Sequence, residues 1–323
     1  MKKGNFVPLL LTSHGEKQSL YSLIDNRYKT ISHHPVLVGK SILGSAYGWL
    51  VLTNSNSNLD DCCLWNPESN EKIQLPQLDE ARYYTTCVLS KPPTDPDCLI
   101  VFKSYCNIQQ SICRINDAEF VKVSLEDSIV AISSFQGEIY GIFKRGTYYE
   151  LVTIHLVGKT VEFKSLLMIN SGKSHWVVPQ VCRRSWVWSY DNYLIESPGG
   201  AGDFFFVVQL ISKISVYPYS GVEFKVFRLN VNGGLVCLEE VENLDGHTIF
   251  IGAYGDGFCC STSNDGMQGI KPNLIYYTDM SGRIVSVYDL DDRSTTPLLP
   301  CPAAGRFKSV NYWVDLPDIL CLV

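Results

Sequence analysis

The sequence predicts an all-β fold, a single β-propeller of about six four-stranded blades, and three observations support this prediction. Short apolar runs recur along almost the whole chain in groups of about four, and Gly, Asn, Asp or Pro ends each run. The chain has 323 residues, of which 46% are hydrophobic, so it can bury a large core. No stretch keeps a helical hydrophobic period over any length.

The group over 129–167 shows the repeating unit most clearly. It contains four runs of strand length separated by gaps of turn length, and Gly137 lies in the first gap. The same pattern predicts four further blades, over 42–75, 85–123, 193–241 and 248–299. The opening strands near Leu9, Tyr21 and Tyr28 belong to one more blade, which makes about six.

The first group offers only three strands, which would leave the ring open. An open ring exposes unpaired strand edges at its first and last blades. We therefore predict that a segment near 309–316 supplies the fourth strand of the first blade and pairs with the strand near Leu9. Residues 1–323 are then expected to form one propeller domain.

Several prominent residues have structural explanations. Trp49 and Trp65 are predicted to fill the widening gaps between blades rather than to contact a ligand. His247 stands just before an apolar strand, where a side-chain hydrogen bond that closes a turn is expected. The acidic residues of 239–242 are predicted to line a solvated strand edge, because charged edges discourage aggregation of sheets.

Charge and hydropathy exclude two classes of partner. The net charge is −6, the sequence pI is about 5.5 and no basic run exceeds two residues, so no nucleic acid is expected as a ligand. The start of the chain, Met1-Lys2-Lys3 and a short apolar stretch that contains Pro8, is predicted to be a strand and not a signal peptide. No segment is long enough to span a bilayer, so no membrane is expected as a partner.

The 12 cysteines are predicted to be reduced thiols of an intracellular protein, in the cytoplasm, the nucleus or both. No Cys-x-x-Cys spacing occurs. The adjacent pairs Cys62-Cys63 and Cys259-Cys260 are poor chelators, because neighbours on a strand point to opposite faces. We therefore expect neither a metal site nor a cofactor.

Catalytic signatures are weak throughout the sequence. The six histidines are scattered, and none stands in a recognisable nucleophile–base motif. We therefore predict a protein without enzymatic activity. An enzyme remains the less favoured alternative, since the blades of a propeller can bring polar groups together in the central channel without any local motif.

Several segments together resemble one family. The early ones resemble the opening blade of plant F-box and kelch-like propellers: Gly48-Trp49-Leu50-Val51-Leu52, Leu64-Trp65-Asn66-Pro67 and Ile73-Gln74-Leu75-Pro76. The later ones narrow the likeness: Tyr193-Leu194-Ile195-Glu196-Ser197-Pro198, Phe224-Lys225-Val226-Phe227-Arg228-Leu229, the run over 241–252, and Gly269-Ile270-Lys271-Pro272-Asn273-Leu274. Nearly the whole chain is similar to the plant DUF295 family, also called the KIB-type β-propeller.

This resemblance implies a protein-interaction domain that selects proteins for ubiquitination behind an N-terminal F-box, as in SCF E3 ubiquitin ligases. The first predicted strand begins near Phe6, so we expect no F-box here and no direct contact with a Skp1-type adaptor. The predicted function is a non-enzymatic protein-interaction propeller that binds a protein partner. A competitive or structural binding protein that has lost its F-box is the alternative.

The predicted binding site lies where the strand pattern breaks down. The stretches 171–189 and 253–273 are too long for blade turns. Tryptophan and arginine often dominate binding energy, and an unpaired arginine pair is costly to bury, so the first stretch is expected to reach the surface and to orient an acidic partner. Its candidate partner-binding residues are Trp176, Arg183, Arg184, Trp186 and Trp188. The alternative is that these tryptophans cap or wedge a blade.

Overall fold

A computed structural model gives the structure of the chain, and it is all β. It describes residues 6–14, 17–23, 27–30, 35–54, 61–78, 84–104, 108–146, 148–169, 187–197, 203–212, 221–232, 235–252, 257–262, 269–278, 284–300 and 310–317. These ranges hold 25 strands and no helix, so the predicted all-β class is confirmed. The domain boundaries 1–323 stay a prediction.

The strands form six sheets, which we number as blades in chain order, each described from its innermost strand outwards. Blade 1 holds β25 (Val310–Pro317), β1 (Phe6–His14), β2 (Lys17–Ser22) and β3 (Arg27–Thr30). Blade 2 holds β4 (Lys40–Ala46), β5 (Trp49–Asn54), β6 (Cys62–Trp65) and β7 (Lys72–Gln74). Blade 3 holds β8 (Tyr84–Leu89), β9 (Leu99–Ser104), β10 (Gln109–Arg114) and β11 (Val121–Ser124).

The remaining three blades complete the ring. Blade 4 holds β12 (Ser128–Phe135), β13 (Glu138–Arg145), β14 (Tyr148–Val157) and β15 (Thr160–Ile169). Blade 5 holds β16 (Val187–Glu196), β17 (Phe204–Ser212), β18 (Val222–Asn232) and β19 (Leu235–Val241). Blade 6 holds β21 (Gly257–Ser261), β20 (His247–Ile251), β22 (Leu274–Thr278), β23 (Ile284–Asp289) and β24 (Thr295–Pro300).

Six hydrophobic cores, one between each pair of neighbouring blades, hold the ring together. The core between blades 2 and 3 contains Trp49, and the core between blades 1 and 2 contains Trp65. Both indoles are buried, which confirms that they fill the gaps between blades. Leu10 and Tyr21 of blade 1 pack against blade 6 in the core that closes the circle. Because every blade is covered on both faces, apolar residues occupy both sides of the inner strands.

The C-terminal strand closes the ring by pairing with the N-terminal strand, as predicted. β25 runs antiparallel to β1 in a register that extends from Phe6 opposite Pro317 to Ser13 opposite Val310. It also contacts β4 of blade 2 and β21 of blade 6, so it is the innermost strand of blade 1. The chain therefore begins and ends its described part in the same sheet.

Blade 6 departs from the prediction of six four-stranded blades. Five blades have four strands, but blade 6 has five, and its innermost strand β21 is the second along the chain. β20 pairs antiparallel with β21 on one side and parallel with β22 on the other, the one parallel pairing among the described strands. The first strand of this blade along the chain, β20, thus lies second from the centre. The chain then turns inwards to form β21 and crosses back over to the outer side of β20 to form β22.

Two tight hairpins mark the face on which the inner strands end. Tyr47-Gly48 joins β4 to β5 and Gln136-Gly137 joins β12 to β13, each as a two-residue loop. All four residues have positive φ, as the type I′ hairpin requires. We call the side of the ring where β4, β8, β12 and β16 end the mouth face.

Other sequence predictions are confirmed by hydrogen bonds and burial. His247 Nδ1 lies 2.8 Å from the carbonyl oxygen of Leu244, which closes the turn before β20. Glu239 and Glu240 are exposed on β19, the outer strand of blade 5. Eight cysteines lie in the described ranges as free thiols, and seven of them are buried. Burial raises the pKa of the core thiols, among them Cys62 and Cys87.

Candidate functional site

The described part of the structure does not bring the predicted partner-binding residues together. Trp176, Arg183, Arg184 and Trp186 lie outside the described residues, and Trp188 belongs to β16. The strand ends that flank this stretch, Ile169 and Val187, lie on the side of the ring opposite the mouth face, because antiparallel strands alternate in direction. The site predicted for these five residues stays a prediction.

Polar side-chain and backbone groups from four blades meet on the mouth face, where the inner strands end. The Tyr47 hydroxyl donates a hydrogen bond to the carbonyl oxygen of Ser90, at 3.0 Å, and the Ser134 hydroxyl bonds to the Tyr47 phenol. The Glu196 carboxylate accepts a hydrogen bond from the backbone N–H of Gln136 and interacts electrostatically with Tyr47. We call Tyr47, Ser90, Ser134, Gln136 and Glu196 the mouth cluster.

Tyr47 occupies a backbone position that suits other residue types better. Its φ is +54°, a conformation that Asn, Asp and Gly adopt in such hairpins at lower cost. The side chain is 45% exposed, so it gains little from packing. Burial of the phenol and the neighbouring Glu196 carboxylate both raise the pKa of Tyr47. A strained, half-exposed aromatic residue at a channel entrance is typical of a binding position.

Glu196 is a half-buried carboxylate without a cation beside it in the described part of the chain. Burial raises the pKa of Glu196, and the hydrogen bond from the Gln136 N–H opposes part of this effect. None of the ion pairs between described residues includes Glu196. Because desolvated charges are normally compensated, this carboxylate costs folding free energy.

A second carboxylate on the same inner strand does have a cation nearby. Burial raises the pKa of Asp191, while the Lys103 ammonium lowers it. Lys103 is 4% exposed, and its Nζ lies 3.4 Å from the carbonyl oxygen of Val130. Lys103 therefore offsets part of the burial cost of Asp191, whereas for Glu196 only the backbone N–H of Gln136 offsets it among the described residues.

Replacing Glu196 by Gln is expected to stabilise the folded protein at neutral pH. The raised pKa means that the folded state binds a proton more readily than the unfolded state, so the wild type loses stability as pH rises through the folded pKa. Gln carries no charge to desolvate, so the variant avoids this cost, and partial exposure of the carboxyl keeps the gain small. Denaturation curves at pH 7 should show the gain.

The gain in stability from Glu196→Gln should disappear at acid pH. Below the unfolded pKa the wild-type carboxyl is protonated in both states, so the two proteins become equally stable. Glu68→Gln, in an exposed turn of blade 2, is the matched control and should leave stability unchanged at both pH values. Equal stability of Glu196→Gln and wild type at pH 7 would show that the carboxylate is compensated.

A groove of about 360 Å³ runs outwards from the mouth cluster between blades 3 and 4. Its inner end is formed by Ser90 and Gly137, which adjoin Tyr47 and Gln136 respectively. Most of its accessible lining is polar, and the apolar residues that line it are buried members of the core between these blades: Leu99, Ile139, Ile154 and Leu156. Because it begins at the channel entrance, groove and mouth cluster form one continuous surface.

The rim of the groove is charged and carries one exposed apolar residue. Arg114 of blade 3 donates a hydrogen bond to the carbonyl oxygen of Leu156, which ties the two blades together. On blade 4, His155 Nδ1 lies 3.5 Å from Glu138, and His155 is paired in register with Glu162. Val157 is 56% exposed at the outer end. A groove with charged groups at its edge can bind an extended segment of a partner protein.

The described residues contain few other candidates for chemistry. No group of three or more His, Cys, Asp or Glu side chains among them could hold a metal ion. Among the same residues, no helix is long and apolar enough to cross a membrane. The mouth cluster and the groove therefore form the candidate site on the mouth face.

Sequence reasoning did not find this site. Residues 47, 90, 134 and 196 are far apart in the chain, and each is an ordinary residue in its local context. Two signals were present in the sequence: the dipeptides Tyr47-Gly48 and Gln136-Gly137 stand between apolar runs, where they predict hairpins at the ends of inner strands. Glu196 is also the last residue of an inner strand, β16, as the residues before the two hairpins are of theirs.

Comparison with known proteins identifies the family. A model of the KIB1-4 β-propeller family matches residues 20–289. The chain belongs to this family. The match covers blades 2 to 5, the outer part of blade 1 and blade 6 as far as β23, and so includes the mouth cluster and the groove. It supports the KIB-type propeller that the sequence resembled. The β-propeller is a fold typical of protein-interaction domains.

Solved structures similar to this KIB1-4 propeller have low sequence identity to it. TolB from Acinetobacter baumannii is 13% identical with a TM-score of 0.43, over 91% of this chain and 64% of TolB. A chain of a nidogen/laminin complex is 12% identical with a TM-score of 0.44, over 94% of this chain and 96% of that one. A putative 6-phosphogluconolactonase from Bacteroides uniformis is 10% identical with a TM-score of 0.40, over 97% and 98%. A search of curated proteins found no match.

Proposed function

We propose that this KIB1-4 propeller is a non-enzymatic protein-interaction module that binds a protein partner on its mouth face. The observation that carries the proposal is the groove of about 360 Å³, which has a charged rim and adjoins the mouth cluster at Ser90. Such a surface can take an extended segment of a partner and fix its register through the polar groups. The partner acts inside the cell, in the cytoplasm or the nucleus.

The finer proposal is substrate recognition of the kind found in plant F-box ubiquitin ligases. The resemblance to DUF295 and kelch-like propellers supports it, because in those proteins the propeller selects the protein to be ubiquitinated. Competitive or structural binding of the same partner is the alternative. The two functions differ in which proteins are purified together with the partner. Substrate recognition predicts a ligase component such as a Skp1-type adaptor, and competitive or structural binding predicts none.

The test compares two valine variants in affinity purification followed by quantitative mass spectrometry. Val157→Asp places a charge at the outer end of the groove, where the valine is 56% exposed. Val38→Asp is the matched control, because Val38 is 57% exposed and precedes β4, on the side opposite the mouth face. Neither change disturbs the core, since both side chains are exposed.

Val157→Asp is expected to lower recovery of the specific partner at least roughly fivefold, since a charge must then be desolvated against the bound segment. Val38→Asp should recover the partner as well as the wild type does. Chemical crosslinks should join the partner to Lys159, which adjoins the groove at the turn after Val157 and has an 82% exposed side chain. Equal recovery by both variants would contradict binding at the groove.

A further inference from the structure

The mouth cluster has the chemistry of a site for a positive charge. The Glu196 carboxylate is half-buried, has no cation beside it within the described ranges, and accepts one backbone hydrogen bond. The Tyr47 phenol interacts electrostatically with it, and Tyr47 is 45% exposed. A carboxylate and an exposed aromatic residue at one site can together bind ammonium and guanidinium groups, by charge-assisted hydrogen bonds and by cation–π attraction.

The neighbouring groove adds charge of the same sign. Glu138 and Glu162 flank His155 on blade 4, and both belong to the groove lining. On the opposite wall, Lys91 is already paired with Asp95, at 3.6 Å, and Arg114 is bound to the carbonyl oxygen of Leu156. The cations that face the groove are thus engaged within the fold, whereas the carboxylates of blade 4 reach the surface.

From these observations we propose that the mouth cluster binds a lysine or arginine side chain of a basic protein segment, whose backbone continues along the groove between blades 3 and 4. The side chain places its cation against the Glu196 carboxylate and the Tyr47 ring, and flanking residues of the segment pass Glu138 and Glu162. This inference rests on the proposed function and adds the charge class of the partner.

The geometry explains why the fold keeps two unfavourable features in one place. Tyr47 has a strained backbone, and Glu196 has a desolvated charge. A bound cation would compensate the desolvated charge of Glu196 and would gain cation–π attraction from the Tyr47 ring. Residues that lower stability in the free protein and gain a partner on binding are typical of functional sites.

The test uses the pentapeptide acetyl-Gly-Gly-Lys-Gly-Gly-amide as the probe and the full chain as the receptor. Two comparison peptides carry norleucine or arginine in place of the lysine; norleucine keeps the aliphatic stem and lacks the ammonium group. Dissociation constants are measured by NMR titration at pH 7 and low salt. The lysine peptide, the arginine peptide or both should bind at least roughly tenfold more tightly than the norleucine peptide.

Variants assign the binding to the mouth cluster. Glu196→Gln should weaken binding of the basic peptide roughly tenfold while remaining folded, because it removes the charge and keeps an acceptor for the Gln136 N–H. Tyr47→Leu should weaken it severalfold through loss of the ring. Glu68→Gln, which removes an exposed carboxylate in a blade 2 turn on the same face, should leave it unchanged and so report any general effect of net charge.

Three results would overturn the proposal: equal binding of the lysine, arginine and norleucine peptides, absence of binding by all three, or equal loss of affinity in Glu196→Gln and Glu68→Gln. The valine variants distinguish failure of this proposal from failure of the proposed function. If basic peptides fail while Val157→Asp still loses its partner, the groove is an interaction site and only its charge preference is wrong. If both fail, the mouth face is not the binding surface.

Discussion

A chain that ends after residue 309 is expected to lose its cooperative folded state. The deletion removes β25, which pairs with β1 from Phe6 to Ser13 and touches the inner strands of blades 2 and 6. Without it the inner ring is broken, and the apolar cores that contain Leu9 and Leu10 open to water. Folded domains are stable by only about 5–15 kcal/mol, so opening two of the six cores is expected to unfold the chain. Circular dichroism and a dye for exposed apolar surface would show it.

Two controls separate loss of the strand from loss of chain length. A chain that ends after Pro317 keeps β25 and should unfold at the same denaturant concentration as the full chain. A synthetic peptide with the sequence of residues 310–317 should restore cooperative unfolding to the shortened chain, since an unpaired strand edge accepts an added strand. A peptide of the same composition in scrambled order should not. Unchanged stability after removal of residues 310–323 would mean that the ring closes without β25.

The sequence predicted most of the fold because the repeating unit of a propeller is local. Each blade is a set of neighbouring hairpins, so apolar runs and turn residues identify its strands, as they did over 129–167. Closure of the ring by the C-terminal strand was predictable too, because the first blade had only three predicted strands and lacked a fourth. The burial of Trp49 and Trp65 followed from their size and from the shape of the gaps between blades.

Blade 6 could not be predicted because strand order is not a local property. The runs over 248–299 have the same composition as those of the other blades, whereas the inward turn from β20 to β21 and the crossing to β22 depend on packing against blade 5. The parallel contact between β20 and β22 has no sequence signature of its own. Hydrophobic periodicity therefore predicted the strands of this blade but not their arrangement.

The candidate site could be predicted even less well. Composition drew attention to the tryptophans and arginines of 171–189, because those residue types are frequent in interfaces. The mouth cluster consists instead of one tyrosine, two serines, one glutamine and one glutamate that only the closed ring brings together. Neither the exposure of Tyr47 nor the missing cation beside Glu196 can be inferred without neighbours from three other blades.

Gly257→Ala is expected to be the most destabilising of three alanine substitutions at strand glycines. A Cβ atom at Gly257 would lie 2.9 Å from the backbone oxygen of Phe250 and 3.2 Å from Ile195 Cδ1. The first contact involves backbone within the β20–β21 pair, so no rotamer can relieve it, and the second presses on blade 5. Overpacking of this kind costs about 2–3 kcal/mol, which denaturant titration would measure.

The other two glycines provide a graded control, since none of the three has a positive φ. At Gly44 the nearest atom to an added Cβ is the backbone oxygen of Cys87 at 3.2 Å, so Gly44→Ala should cost about 1 kcal/mol. At Gly141 the nearest atoms are side-chain carbons at 3.5 Å or more, and alanine also restricts the unfolded chain, so Gly141→Ala should change stability by less than about 1 kcal/mol. The order Gly257, Gly44, Gly141 follows from how closely each strand approaches its neighbours. An equal effect at Gly257 and Gly141 would show that β21 does not pack against β20 and blade 5 as closely as the inverted hairpin of blade 6 requires.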